Sequence, residues 1–345
     1  MPKEIPTRIY NLCLLGFGNV NRTLVRLLQK KAGALQERGV AWRITGVATR
    51  RLGWIASASG LDVEALLSSG GQTGSRAGAP APHDVRDWLK AARADVLFEA
   101  TSLNVENGQP AVDHVRAALE LGAHAITANK GTIVHAYEEL RSLAVAKGKG
   151  FLFESTVMDG VPIFAMFRES LPVVHLHGFR GVLNSTTNVI LSGMEEGLSF
   201  EQSLKRAQEI GVAETDPTHD IDGWDATVKV AALVRVLMGV PIRIDEIERE
   251  GIGKLRGEVV RTARASGTPY KLVCRAQREG ARVRASVKPE QVPSSDPLAG
   301  VMGTSSIVCF ETDIFPGLTI TENDPGLEAT AYGMLADFVR AVVGR

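Results

Sequence analysis

The sequence predicts an α/β protein, a doubly wound parallel sheet followed by a second, α+β unit. Three observations predict it. A strand, a glycine-containing turn and a helix follow one another at the start, at residues 9–15, GFGNVN and residues 23–31. Strand-like and helical patterns then alternate to about residue 154, the signature of parallel strands joined by helices. Beyond that point a strand-like stretch leads into helices, and further strand-like runs follow. At 345 residues the chain exceeds one ordinary core, so two packed units are expected, residues 1–150 and 151–325, with a closing segment at 326–345.

Composition narrows the partners. The 39 basic residues balance the 39 acidic ones, which removes the basic footprint of a nucleic-acid or anionic-membrane binder and favours a small molecule. No apolar run approaches the roughly 18 residues of a membrane span, and the first residues carry no signal pattern, so a cytoplasmic location is expected. Cys13, Cys274 and Cys309 share no metal or redox spacing and lie in apolar strand-like runs, as core residues do.

In the first unit, Gly16 permits the tight turn after strand 9–15. Gly18 lets the backbone approach a pyrophosphate whose charge meets the helix N-terminus. Gly16, Phe17, Gly18, Asn19 and Val20 are therefore dinucleotide-binding candidates of a Rossmann-type domain, with Asn21 where the fingerprint has its third glycine. Strand 42–49 ends in Arg50 and Arg51 and has no acid for the ribose hydroxyls. Arg50 suits a 2′-phosphate, so NADP(H) is expected over NAD(H). The turn-rich residues 68–82 read as a mobile surface loop.

Strand 95–99 leads into Thr101 and Ser102, helix 110–121 starts at Pro110, and strand 123–127 leads into Asn129 and Lys130. Ligands of an open parallel sheet sit beyond the carboxyl ends of its strands, so these four residues should converge near the cofactor's reactive ring. Lys130 is thereby a catalytic candidate. Helix 135–147 and strand 151–154 complete a six-strand doubly wound domain in which 95–99 is read as the fourth strand. The stretch ESTVMDGVPIF then reads as a turn into the second unit, or as Glu154 and turn carbonyls around a hard cation.

The second unit has strand-like runs at 174–179 and 181–183, then a polar turn, NSTTN, before a helix at 189–195. Neutral donors at a helix start suit a carboxylate or phosphate, or serve as caps. After helix 200–210 comes an acidic stretch with Glu214, Asp216, Asp220, Asp222 and Asp225, closed by Lys229. Carboxylates this dense repel one another unless a cation, a substrate ammonium or a lysine sits among them. Asp225 and Lys229 stand four residues apart on helix 225–238 and can pair. Strand-like runs at 271–277, 282–287, 305–311 and 318–321 suit a sheet that covers an active site and pairs two subunits. Helix 328–343 is expected to pack back on the first domain.

Six segments together resemble homoserine dehydrogenase over about residues 9–339: GFGNVN, TANKG, ESTVMDGVP, GVLNSTTNVIL, AETDPTHDIDGWDATVK and TDIFPGLTITENDPGLEATAYGMLADFV. The most specific part is NSTTN followed at this distance by the acidic stretch. The resemblance implies NAD(P)-dependent interconversion of L-homoserine and L-aspartate 4-semialdehyde, a step of threonine and methionine biosynthesis, by a homodimer. Aldehyde reduction needs a hydride donor, a group that polarises the carbonyl and moves a proton, and an anchor for the amino acid. Lys229, oriented by Asp225, and Lys130 are the catalytic candidates.

By the same resemblance, Glu214 and Asp220 face the substrate's ammonium group or an ordered water, and Thr187 holds its carboxylate. A cation, sodium, would take Glu154 and the carbonyls of Val157, Asp159 and Val161. Two departures stand out. Asn21 is expected to loosen helix packing or pyrophosphate approach, and without an ACT or aspartate kinase module threonine control is not expected. A free aldehyde needs no activated cysteine, which separates this reading from phosphorylating aldehyde dehydrogenases. Other readings are an NADP-linked dehydrogenase of another amino acid alcohol or aldehyde, differing in the NSTTN pocket, and a non-catalytic dinucleotide sensor, against which Lys130, Asp225 and Lys229 argue.

Overall fold

The computed structural model describes residues 6–68 and 82–344, so the loop expected at 68–82 lies, apart from its end residues, outside them. The chain forms two compact units. The first runs to Pro162 and resumes at Gly326; the second spans Ile163–Pro325.

The first unit holds a six-stranded sheet in the order β3-β2-β1-β4-β5-β6. Its strands are β1 (Arg8–Leu15), β2 (Val40–Thr49), β3 (Gly53–Ala56), β4 (Val96–Glu99), β5 (His124–Thr127) and β6 (Phe151–Leu152). The central β1 is buried over its last six residues, as a strand covered on both faces must be. All pairings are parallel except β2 with β3, which is antiparallel. The edge therefore departs from the wholly parallel sheet expected. Only three residues link Thr49 to Gly53, too few for a crossover, and Gly53 at φ +68° closes the turn.

The helix Asn19–Lys30 begins directly after Gly18, four residues earlier than its apolar period indicates. The helix Leu327–Val343 completes the first unit. Phe338 is enclosed, with its ring 5.9 Å from both Tyr10 and Phe98 in edge-to-face geometry, and Lys30 pairs with Glu328 at 2.7 Å.

The second unit is built on a sheet in the order β12-β11-β7-β9-β10-β8. Its strands are β7 (Leu176–Val182), β8 (Glu248–Arg249), β9 (Tyr270–Glu279), β10 (Arg282–Gln291), β11 (Ser306–Thr312) and β12 (Leu318–Glu322). Every pairing is antiparallel except that of β8 with β10. The two runs expected at 174–179 and 181–183 are one strand. The helices Ser185–Glu195 and Trp224–Leu233 carry the site residues of this unit. Among the described residues, Cys13, Cys274 and Cys309 are free and buried, and no helix is long and apolar enough to cross a membrane.

Candidate active site

Beyond the carboxyl ends of β1, β2 and β4 lies a cavity of about 760 Å³, lined by Gly16, Phe17, Gly18, Arg50, Thr101 and Ser102 among others. Gly16 sits at φ +78°, and a Cβ there would lie 2.4 Å from the carbonyl oxygen of Ala100. Only glycine fits. A Cβ on Gly18 would meet nothing within 4 Å, so its absence leaves open room beside the helix start. That helix has neither a side-chain cap nor an acid in its first turn, which leaves its amide end suited to a pyrophosphate.

Asn21 is fully buried and does not loosen the turn, contrary to expectation. Its Nδ2 donates to the carbonyls of Gly16 at 2.6 Å and Leu15 at 3.3 Å, tying the glycine turn to its helix. Arg22 adds a second clasp, donating to the Phe17 carbonyl at 3.2 Å and lying over the Phe17 ring. Arg50 is exposed at the cavity rim.

The loops that carry Thr101, Ser102, Asn129 and Lys130 are joined by a residue that sequence reasoning left unassigned. Glu99, the last residue of β4, pairs in register with Thr127 of β5 and is fully buried. Its carboxylate accepts from the Thr101 amide at 2.8 Å, from the Thr101 hydroxyl, and from the Thr127 hydroxyl at 2.7 Å. Burial pushes the Glu99 carboxyl above its ordinary range, while these donors oppose the shift.

The Asn129 amide donates to the Thr127 hydroxyl at 2.9 Å, and its side chain donates to the carbonyls of Thr101 and Ser102. Its Oδ1 accepts from the amide of Gly131 at 2.9 Å. Asn129 thus acts as a brace between the two loops. Lys130 is the cap residue of the helix Gly131–Lys147 and is half-buried.

In the second unit the acidic stretch folds around Asn184. The expected polar turn NSTTN is instead one cap residue and the first helical turn: Asn184 caps the helix Ser185–Glu195 by accepting from the Thr187 amide at 2.8 Å. The Nδ2 of the Asn184 side chain donates to Asp220 Oδ1 at 2.7 Å and to Asp225 Oδ2 at 3.1 Å. Lys229 Nζ lies 3.1 Å from Asp225 Oδ2 and donates to the Leu183 carbonyl at 2.6 Å. Both members of that pair are shielded, at 15% and 20% side-chain exposure. Burial, with the Asp225 charge second, pushes the Asp220 carboxyl up, against Asn184, Thr186 and Lys229.

Thr187 and Glu214, the other expected substrate contacts, differ in exposure. Thr187 is fully buried, and its hydroxyl donates to Asn184. It props the cap and presents no donor outward. Glu214 is exposed, and its carbonyl is held by the Gln208 side chain. The stretch is steadied from outside by Arg249, whose guanidinium stacks on Trp224 at 3.6 Å and donates to the Asp222 carbonyl. Burial pushes the thiol of Cys274 up to about 12, so it is no thiolate nucleophile.

Glu154 opens a turn of 3₁₀ helix in the first unit and is buried. Its carboxylate lies 3.8 Å from Arg340, and its amide donates to Asp337 at 2.8 Å. Asp159 adopts φ +44° and accepts from the Thr330 hydroxyl. Val157 is buried and Val161 half-buried. No group of three or more His, Cys, Asp or Glu side chains suited to a metal is present among the described residues.

Comparison with known proteins identifies the family. Residues 16–154 match the profile of the homoserine dehydrogenase NAD-binding domain, and residues 162–339 match that of homoserine dehydrogenase. An NAD⁺-dependent homoserine dehydrogenase of Pseudomonas canavaninivorans is 33% identical over 337 residues, covering 96% of this chain and 95% of the relative. The homoserine dehydrogenase of Methanocaldococcus jannaschii is 32% identical, covering 95% of this chain and 97% of its own. Among solved structures, a putative homoserine dehydrogenase of Archaeoglobus fulgidus superposes with a TM-score of 0.84 at 29% identity, over 95% of this chain and 98% of that one. A hyperthermophilic archaeal homoserine dehydrogenase mutant in complex with NADPH does so with a TM-score of 0.82 at 26% identity, over 98% and 99%. The chain belongs to the homoserine dehydrogenase family of NAD(P)-dependent oxidoreductases.

Proposed function

We propose that the protein interconverts L-homoserine and L-aspartate 4-semialdehyde with NADP(H), with Lys229 as the proton-transfer residue. The observation that carries the mechanism is the Lys229–Asp225–Asn184–Asp220 cluster, a lysine held by one carboxylate and one carbonyl at 3.1 and 2.6 Å. The bound cofactor supplies hydride transfer. Lys229 holds the reacting oxygen and moves its proton, Asp225 fixes the ammonium group of that lysine, and Asp220 and Glu214 suit the ammonium of the substrate. Lys130, at the end of the Glu99-braced loops, is a second catalytic residue in this reading.

Arg50 supports the cofactor preference, because it stands at the cavity rim with no acid beside it on β2. The relatives point both ways, one being named NAD⁺-dependent and another bound to NADPH. Initial rates with L-homoserine and each cofactor, on the parent and on Arg50→Ala, decide the matter. We expect the parent to favour NADP⁺ and the variant to lose that preference. Equal efficiency with both cofactors, unchanged in the variant, contradicts it.

Glu154 with the carbonyls of Val157, Asp159 and Val161 would take sodium. Activity that is independent of sodium in both the parent and Glu154→Gln contradicts a functional cation there. The protein acts in this reading as a cytoplasmic homodimer, and a monomer in sedimentation at micromolar concentration contradicts that assembly.

A further inference from the structure

Lys271, the second residue of β9, is fully buried, and the proposed mechanism does not use it. Burying an ammonium is unfavourable, and an apolar side chain of similar volume is often as stable. Its contacts show what the charge holds. Nζ donates to the Val301 carbonyl at 2.6 Å and to Asn188 Oδ1 at 3.2 Å. Asn188 in turn donates to the carbonyls of Gly303 at 2.9 Å and Ser305 at 3.3 Å.

The segment 301–305 is thereby fastened along one face of the helix Ser185–Glu195, by side chains at i, i+3 and i+7. Ser185 donates to the Thr304 carbonyl at 2.9 Å, Asn188 makes the bonds just given, and the Ser192 hydroxyl accepts from the Gly303 amide at 3.2 Å. The Asn188 amide also donates to the carbonyl of the cap residue Asn184 at 3.2 Å, whose side chain holds Asp220 and Asp225. Contacts therefore run without a break from Lys271 to the two carboxylates.

Two charges act on Lys271. Glu195, at the end of the same helix, has a side chain 2% exposed and no hydrogen-bond partner among the described residues, with Arg264 Nε 3.7 Å away. Burial pulls the Lys271 ammonium down to about 8, with Glu195 opposing the shift and Arg264 adding to it.

We infer that Lys271 is a positioning residue, whose ammonium sets segment 301–305 and Asn188 so that the Asn184 cap presents Asp220 and Asp225 to the substrate. This rests on the Lys229 cluster being the substrate site.

Steady-state rates with L-homoserine at saturating NADP⁺, from pH 6.5 to 9.5, on the parent, Lys271→Met and Lys271→Arg, together with direct NADP⁺ binding, test it. At pH 7, Lys271→Met is expected to raise the homoserine KM about tenfold and to leave the NADP⁺ Kd unchanged. The ratio of that KM to the parent's should fall as the pH rises through about 8, because the parent then loses a charge that the variant never had. Lys271→Arg, which stays charged, should recover part of the KM at pH 7, and its ratio to the parent should fall through the same range. A parent-like KM in Lys271→Met, or a ratio constant with pH, as packing alone would give, overturns the inference. If Lys271→Met does not fold, the Lys271→Arg ratio decides in the same way. A parent that does not turn over L-homoserine overturns instead the reading of the substrate site.

Discussion

Replacing Asn184 by aspartate preserves the side chain's shape and reverses part of its function. The Oδ1 that accepts from the amide and hydroxyl of Thr187 is retained. The Nδ2 that donates to Asp220 at 2.7 Å and to Asp225 at 3.1 Å becomes a third carboxylate oxygen. Two charge-assisted hydrogen bonds are lost, each contributing about 1.5–3 kcal/mol. Unit charges about 3 Å apart also repel by about 5 kcal/mol per pair at an effective dielectric near 20. The repulsion dominates, so the cluster holds a proton instead, at a cost of about 1.4 kcal/mol per pKa unit of upward shift.

The sign follows from proton linkage. A carboxyl whose folded-state pKa is raised binds more protons folded than unfolded, so its penalty is present at high pH and is relieved as the pH falls through the raised pKa. Asp220 already leans that way. Asn184→Asp should therefore be destabilised by about 3–5 kcal/mol at pH 8.5 and by much less at pH 5.5. Asn184→Ala adds no charge but removes the donor that holds the Asp220 carboxyl down, so it should show the same trend with a smaller difference between the two pH values. Urea unfolding of the three proteins at the two pH values measures this. Equal destabilisation of Asn184→Asp at both pH values refutes the reasoning.

Other expected outcomes follow from single contacts. Gly16→Ala combines a left-handed φ of +78° with a Cβ 2.4 Å from a backbone oxygen; a loss of about 3 kcal/mol or more, read as a lowered melting temperature, is expected, and a parent-like melting temperature contradicts the turn geometry. Glu99→Gln turns an NH₂ group toward the donors on Thr101 or Thr127 and should cost about 1–3 kcal/mol while raising the cofactor Kd; unchanged cofactor binding would remove Glu99 from the site's support. Cys13 and Cys274, both pushed up to about 12, should stay unlabelled by iodoacetamide at pH 8 in the native protein, with mass spectrometry as the readout and rapid labelling of either as the contrary result.

What the sequence disclosed tracks how local each signal is. The strand β1 is a continuous apolar run beside a glycine turn, and the Asp225–Lys229 pair is a four-residue spacing on one helix; both are visible in a short window. The edge strand β3 is four residues with no alternation, and its pairing depends on the short turn at Gly53, so no period announces it. The helix start at Ser185 was hidden because Ser, Thr, Thr and Asn favour caps and turns over helix interiors. It forms because Asn184 caps it and because Thr186, Thr187 and Asn188 are enclosed, Asn188 donating to the carbonyl of Gly303 at 2.9 Å.

Asn21 read as a missing glycine because its value lies in two carbonyls brought within reach by the fold. Glu99 was legible only in part. An acid ending a buried strand, with Thr101 two residues on, is a visible oddity, but Thr127 joins it only through the β4–β5 register.

The most direct test of the central claim is the rate of L-homoserine oxidation with saturating NADP⁺ in the parent and in Lys229→Ala, alongside direct NADP⁺ binding to both. The account predicts homoserine-dependent NADP⁺ reduction in the parent and a loss of about 100-fold or more in the variant, with NADP⁺ still bound. A variant that turns over homoserine at the parent rate contradicts the assignment of proton transfer to Lys229.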